Sequence, residues 1–190
     1  MKSALLIIDV QKAVLADDDL LPDRRKIVDA AFDRTVERLR QLQIKARVAD
    51  VPVILVQHDG GTGDLLERGS DGWQIRDEIA PLAGDIVVEK RSADSFYNTC
   101  LSAVLAEHGI THLVAGGCMS QYCVDTTLRR AVSLGYDVTL IGDGHTTSDT
   151  ASLPYDDIVR HHNETLNNFR AGTRFIRLEN AADISFAKCD

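Results

Sequence analysis

The feature that most constrains this chain is an alternation of short apolar runs with longer stretches of helical periodicity. Strand-like segments fall at residues 4–8, 52–57, 85–88, 112–115, 137–141 and 174–178. Between the first two, Val28, Phe32, Val36, Leu39, Leu42, Ala46 and Ala49 recur at three- and four-residue steps, the spacing of one helix face. Further helices are expected over 99–108, 120–134 and 155–168. Gly109 and Gly135 each follow a helix and precede a strand, as a left-handed C-terminal cap does. Repeated helix, glycine and strand imply right-handed βαβ crossovers, hence a parallel sheet with helices on both faces. Residues 5–8 and 53–56 are apolar without alternation, as strands covered on both faces tend to be.

The 190 residues suffice for one domain over 1–190 with a large core. A net charge of −8 argues against sequence-independent nucleic-acid binding, which needs clustered Lys and Arg. No apolar run approaches a membrane span, and residues 5–8 end in Asp9, so no membrane partner and a cytoplasmic location are expected. The four cysteines, Cys100, Cys118, Cys123 and Cys189, lack C-x-x-C spacing and read as free thiols.

Ligands of open parallel sheets bind beyond the carboxyl ends of the strands. Asp9 ends the first strand, Lys90 follows the third, and Cys123 opens the helix after the fourth. An acid, a cation and a thiol are thereby brought to one rim, the makings of a nucleophile with a proton acceptor and a supporting charge. A thiol in a helix's first turn meets unpaired N–H groups, which favour thiolate. Singly, each residue reads as a loop acid, a solvated cation or a packed thiol; their joint placement is the signal. Cys118 precedes Ser120, the expected N-cap, and lacks the helix-start position. The Gly- and Asp-rich stretch 58–71 is a long loop, equally suited to a lid or a solvent loop. Gln11, His58, Trp73, Phe96 and Tyr97 lie on rim segments as candidate pocket walls.

Leu6-Ile7-Ile8-Asp9-Val10-Gln11, Lys90 followed by Asp94-Ser95-Phe96, and Gly117-Cys118-Met119-Ser120-Gln121-Tyr122-Cys123-Val124 carry a resemblance to the isochorismatase-like cysteine hydrolases. It continues through Gly135-Tyr136-Asp137-Val138 and Asp143-Gly144-His145-Thr146-Thr147. It implies a three-layer Rossmann-like α/β fold with a six-stranded, mainly parallel sheet, and an Asp-Lys-Cys triad of Asp9, Lys90 and Cys123. It also implies a cis peptide between Cys118 and Met119, with the N–H groups of Met119 and Cys123 as oxyanion donors. The implied activity is hydrolysis of a small amide or other C–N bond through a thioester. A vinyl-ether hydrolase is the alternative within the family, and a homo-oligomer, dimer or tetramer, is implied by analogy.

Nicotinamidases of this family hold a metal through an Asp-x-His motif and a later histidine. Here the region reads Gln57-His58-Asp59-Gly60-Gly61 and the next histidine is His108, so no metal is expected. His58, Asp59, Asp143, His145, His161 and His162 are nominal ligands, and His161-His162-Asn163 reads as a polar helix face or subunit contact. Gly116-Gly117 lacks the full G-x-G-x-x-G, and no other cofactor is expected. Outside the family, a non-catalytic α/β binding module would also place an acid at a strand end, although no acidic pair precedes Asp9 to hold Mg²⁺.

Overall fold

The computed structural model describes residues 2–16 and 20–186; Cys189 lies outside them. Strand β1 (Ser3–Ile8) leads through helix α1 (Pro22–Val48) to β2 (Val53–His58) and β3 (Ile86–Lys90). Helix α2 (Leu101–Glu107), β4 (His112–Cys118), a π-helical turn (Ser120–Val124) and α3 (Asp125–Ser133) follow. Then come β5 (Asp137–Thr146), α4 (Tyr155–Leu166), β6 (Arg170–Ala171) and β7 (Arg174–Glu179). Among the described residues no helix is long and apolar enough to cross a membrane.

The sheet order is β3-β2-β1-β4-β5-β7-β6. Every pairing is parallel except the antiparallel β6–β7 hairpin. Among the described residues the sheet therefore has seven strands, not six. The addition is two-residue β6, too short to carry any periodicity. Pro22 opens α1 at a position where its missing N–H costs nothing, and Gly109 and Gly135 stand at φ 62° and 96° as the expected helix stops.

The unalternating apolar run of β1 has a direct explanation. Leu5 and Ile7 pack into one core with Val28, Phe32, Val36, Leu39 and Leu42 of α1. Ala4, Leu6 and Ile8 pack into the other with Leu101, Leu105, Leu128 and Val132 of α2 and α3. Both faces are covered, and each fully buried Leu or Ile contributes about 1.5–3 kcal/mol.

Three strands run further than their apolar content indicates. β3 extends to Lys90, β4 through Gly116-Gly117-Cys118, and β5 to Thr146. Parallel pairing carries polar and glycine residues along once the apolar part is docked. Gly117 makes this possible for β4: its φ is 129°, and a Cβ there would lie 2.0 Å from the Ile8 carbonyl oxygen. Only glycine lets the end of β4 lie this close to β1. Chain order reverses between β1 and β4, so the crevice at their carboxyl ends is the topological switch point.

Candidate active site

Asp9 is the first residue beyond β1 and adopts φ 50°, a left-handed conformation that aspartate tolerates better than branched residues. Its N–H donates to the Val56 carbonyl of β2 at 2.9 Å, and the residue is buried. Lys90, the last residue of edge strand β3, directs its ammonium inward. Lys90 Nζ stands 2.5 Å from Asp9 Oδ2, and neither side chain has meaningful contact with solvent. The same Nζ lies 3.2 Å from Cys123 Sγ, 2.9 Å from the Ser92 carbonyl and 3.3 Å from His58 Nδ1. One cation thus bridges the carboxylate and the thiol across the ends of β1, β3 and β4.

Cys123 is the fourth residue of the π-helical turn. The turn follows a cis peptide between Cys118 and Met119, the bond expected there. The Met119 carbonyl accepts from the N–H groups of Tyr122 and Val124, which closes the turn. Ser120 does not cap the helix. Its hydroxyl is bonded to His145 Nδ1, and α3 begins only at Asp125, with Val124 in the cap position.

The electrostatics revise the expectation of a ready-made thiolate. Burial pushes the Cys123 thiol up to about 12, and the neighbouring Asp9 charge adds to the rise against the lowering effect of Lys90. The turn places Cys123 beside a buried carboxylate, and this outweighs any benefit of the helix start. Burial also raises Asp9 above the ordinary carboxylate range, with Lys90 opposing. A more basic carboxylate beside a protonated thiol is able to accept that proton. Cys118 is fully buried, and desolvation raises its thiol well above the usual range. Its side chain belongs to the core beneath α1.

Because the folded protein holds the Cys123 proton more tightly than an unfolded thiol, this contribution to stability is full below about pH 9. It is lost as the pH climbs toward 12. Alkylation of Cys123 by iodoacetamide, followed by peptide mass spectrometry from pH 6 to 10, should therefore keep accelerating with pH. A rate that levels off at or below neutrality would instead reveal a stable thiolate–ammonium pair.

The remaining candidate residues separate. Gln11 is fully buried and spends its amide on the backbone, donating to the carbonyls of His58 and Trp73 and accepting from the His58 N–H. It ties the segment after β1 to the segment after β2. His58 is half-buried beside Lys90, and burial lowers its pKa, with the lysine charge adding to the effect. The Trp73 carbonyl also accepts from Gln57, and its indole N–H is buried without a partner. Phe96 stacks on Tyr136 in the core, with centroids 5.9 Å apart. Tyr97 is exposed and borders a cleft of ≈ 400 Å³ that opens beside Lys90, with Arg68, Glu89, Arg91 and Asn98 on its walls.

The loop after β2 is folded on itself by successive turns, Asp64 N–H to Gly61, Glu67 to Asp64 and Ser70 to Glu67. Ion pairs of Arg91 with Asp59 and Arg68 with Glu89 fasten it to the β3 side of the cleft. Among the described residues no three His, Cys, Asp or Glu side chains converge in a way that could hold a metal ion. Asp59, the acid nearest His58 in sequence, is committed to Arg91 and the Gly61 N–H.

The Isochorismatase domain family matches residues 3–176 of the chain. A streptothricin hydrolase of Streptomyces noursei is 34% identical over 151 residues, which are 80% of this chain and 52% of that protein. The chain thus spans about half the length of that relative. Ureidoacrylate amidohydrolase RutB of Serratia proteamaculans (strain 568) is 29% identical over 171 residues, 75% of this chain and 68% of that protein. The crystal structure of an isochorismatase from Pseudomonas putida KT2440 superposes with a TM-score of 0.82 at 31% identity, covering 96% of this chain and 89% of that one.

Proposed function

The chain belongs to the isochorismatase family, and from that premise we propose that it hydrolyses a small amide or related C–N bond through a thioester on Cys123. The observation that carries this reading is the buried Lys90 ammonium, 2.5 Å from Asp9 and 3.2 Å from the Cys123 sulfur. A structural ion pair has no use for a thiol on its third side, whereas acyl transfer needs all three groups.

Asp9 takes the thiol proton as Cys123 Sγ attacks the carbonyl carbon, so no free thiolate has to persist. Lys90 offsets the negative charge on the sulfur and carboxylate. The N–H groups of Met119 and Cys123 receive the oxyanion, a contribution that typically amounts to about 100- to 1,000-fold per donor. Collapse breaks the C–N bond, and Asp9 returns the proton to the departing nitrogen. A water, deprotonated by Asp9, then splits the thioester and restores the thiol, releasing the carboxylic acid.

The relatives named streptothricin hydrolase and ureidoacrylate amidohydrolase fit C–N chemistry. The small cleft with Arg68, Arg91, Glu89 and Asn98 meets the triad at Lys90, and under this reading a compact polar substrate enters there. The test is a panel of ureido acids, lactams, simple amides and nicotinamide, assayed for released ammonia or amine, or for the new amino group of an opened lactam, alongside intact-protein mass. One class should turn over and leave a transient acyl adduct on Cys123. Turnover with the adduct on another residue, or no turnover across the panel, would defeat the reading.

A further inference from the structure

Behind the site lies a second polar assembly that the triad does not use. Ser120 Oγ is 2.8 Å from His145 Nδ1, His145 Nε2 is 2.9 Å from Asn163 Oδ1, and Asn163 Nδ2 donates to the Gly142 carbonyl at 2.8 Å. These residues come from the π-helical turn, β5 and α4, and both Ser120 and His145 are buried.

The directions of the bonds follow from one fixed end. A carbonyl only accepts, so the Asn163 amide nitrogen must face Gly142 and its oxygen must accept from His145 Nε2–H. His145 Nδ1 is then the lone pair, and the Ser120 hydroxyl donates to it. Burial keeps the imidazole neutral, its pKa lowered to about 4, which preserves this tautomer at working pH. The string has a single polarity and a single geometry.

Its position is as specific as its polarity. A register shift in the β4–β5 ladder sets His145 opposite Gly117 and Thr146 opposite Cys118. The His145 backbone is thereby paired with the residue before the cis peptide, while its ring holds the residue after Met119. One residue thus holds the chain on both sides of Met119, through Gly117 and Ser120. Apolar side chains would fill this space at lower desolvation cost, and a fully satisfied polar network specifies one arrangement where they would not.

We infer that the Ser120–His145–Asn163 string is a positioning device for the oxyanion turn, acting through the 117–123 segment and not on the nucleophile. This rests on the hydrolase reading above. The experiment compares two reactions of the same sulfur. Acetyl transfer from p-nitrophenyl acetate forms the S–C bond, expels p-nitrophenolate and needs the oxyanion donors. Alkylation by iodoacetamide displaces iodide at a saturated carbon and does not.

Ser120→Ala and His145→Phe should slow acetylation of Cys123 by about 100-fold while alkylation stays within about threefold of the parent. His145→Gln, whose amide can accept from Ser120 and donate to Asn163, should restore acetylation to within about tenfold. Equal losses in both reactions, or unchanged acetylation in both variants, would overturn the inference. If the parent protein is not acetylated at Cys123 at all, the hydrolase reading fails first and this one with it.

Discussion

Cys123→Ala should abolish turnover, by about 10⁴- to 10⁶-fold as judged from nucleophile deletions in other covalent hydrolases. Even the lower bound corresponds to about 5 kcal/mol of lost transition-state stabilisation. The fold should survive. Cys123 only borders the core, and the ammonium it touches keeps Asp9, the Ser92 carbonyl and His58 as partners. Amine release and intact mass, measured on protein with a parental circular-dichroism spectrum, decide the matter. Residual activity above about one per cent, or an acyl adduct surviving on Cys118, would break the assignment.

Asp9→Asn should separate two properties that usually travel together. The Asp9 charge raises the Cys123 thiol pKa, so its removal, with Lys90 still in place, should make the sulfur easier to ionise. Iodoacetamide should then modify Cys123 at lower pH than in the parent. Turnover should nonetheless fall by about 10²- to 10⁴-fold, the range for loss of a general base, because no group remains to return the proton to the leaving nitrogen. The variant should also be less stable, since breaking a buried ion pair from one side costs about 3–5 kcal/mol. A thermal scan at neutral pH reads that loss, and a chemical-denaturation curve puts a free energy on it. A nucleophile that becomes more reactive in a slower enzyme is the signature of Asp9 as proton carrier. Loss of both alkylation and turnover would instead make Asp9 a structural partner of Lys90.

The sheet was readable because burial on both faces leaves unbroken apolar runs, and glycine stops mark where helices give way to strands. Asp9, Lys90 and Cys123 were readable for a related reason: strand ends converge on one rim whatever their separation along the chain. Other features depend on what the tertiary structure adds. The protonated state of Cys123 reflects burial beside Asp9, which no local pattern encodes. Ser120 has the look of a helix cap, yet the π-helical turn pushes α3 to Asp125 and frees the hydroxyl for His145. The His145–Asn163 pairing arises because β5 continues past its apolar part and shifts register against β4. The sequence carries no mark of it: His145 lies beyond the strand expected at 137–141, and Asn163 sits in a stretch that reads as a polar helix face. Phe96 shows the complementary limit: an aromatic residue after a rim strand carries no mark of which way it turns, and here it turns inward.

Lys90 rides on β3, which among the described residues is an edge strand paired with β2 alone. Residues Ile86 to Lys90 alternate between sheltered and open positions, unlike the sealed β1 and β2. Edge elements with few buried contacts open at lower free energy than the centre of a sheet. The acid and the thiol stand on the segments that follow central strands β1 and β4, while the cation that joins them hangs from the margin. Fraying of β3 would pull the bridge away and leave the two groups as strangers in an otherwise native molecule. A site joined in this way would come apart with its margin before the central core unfolds.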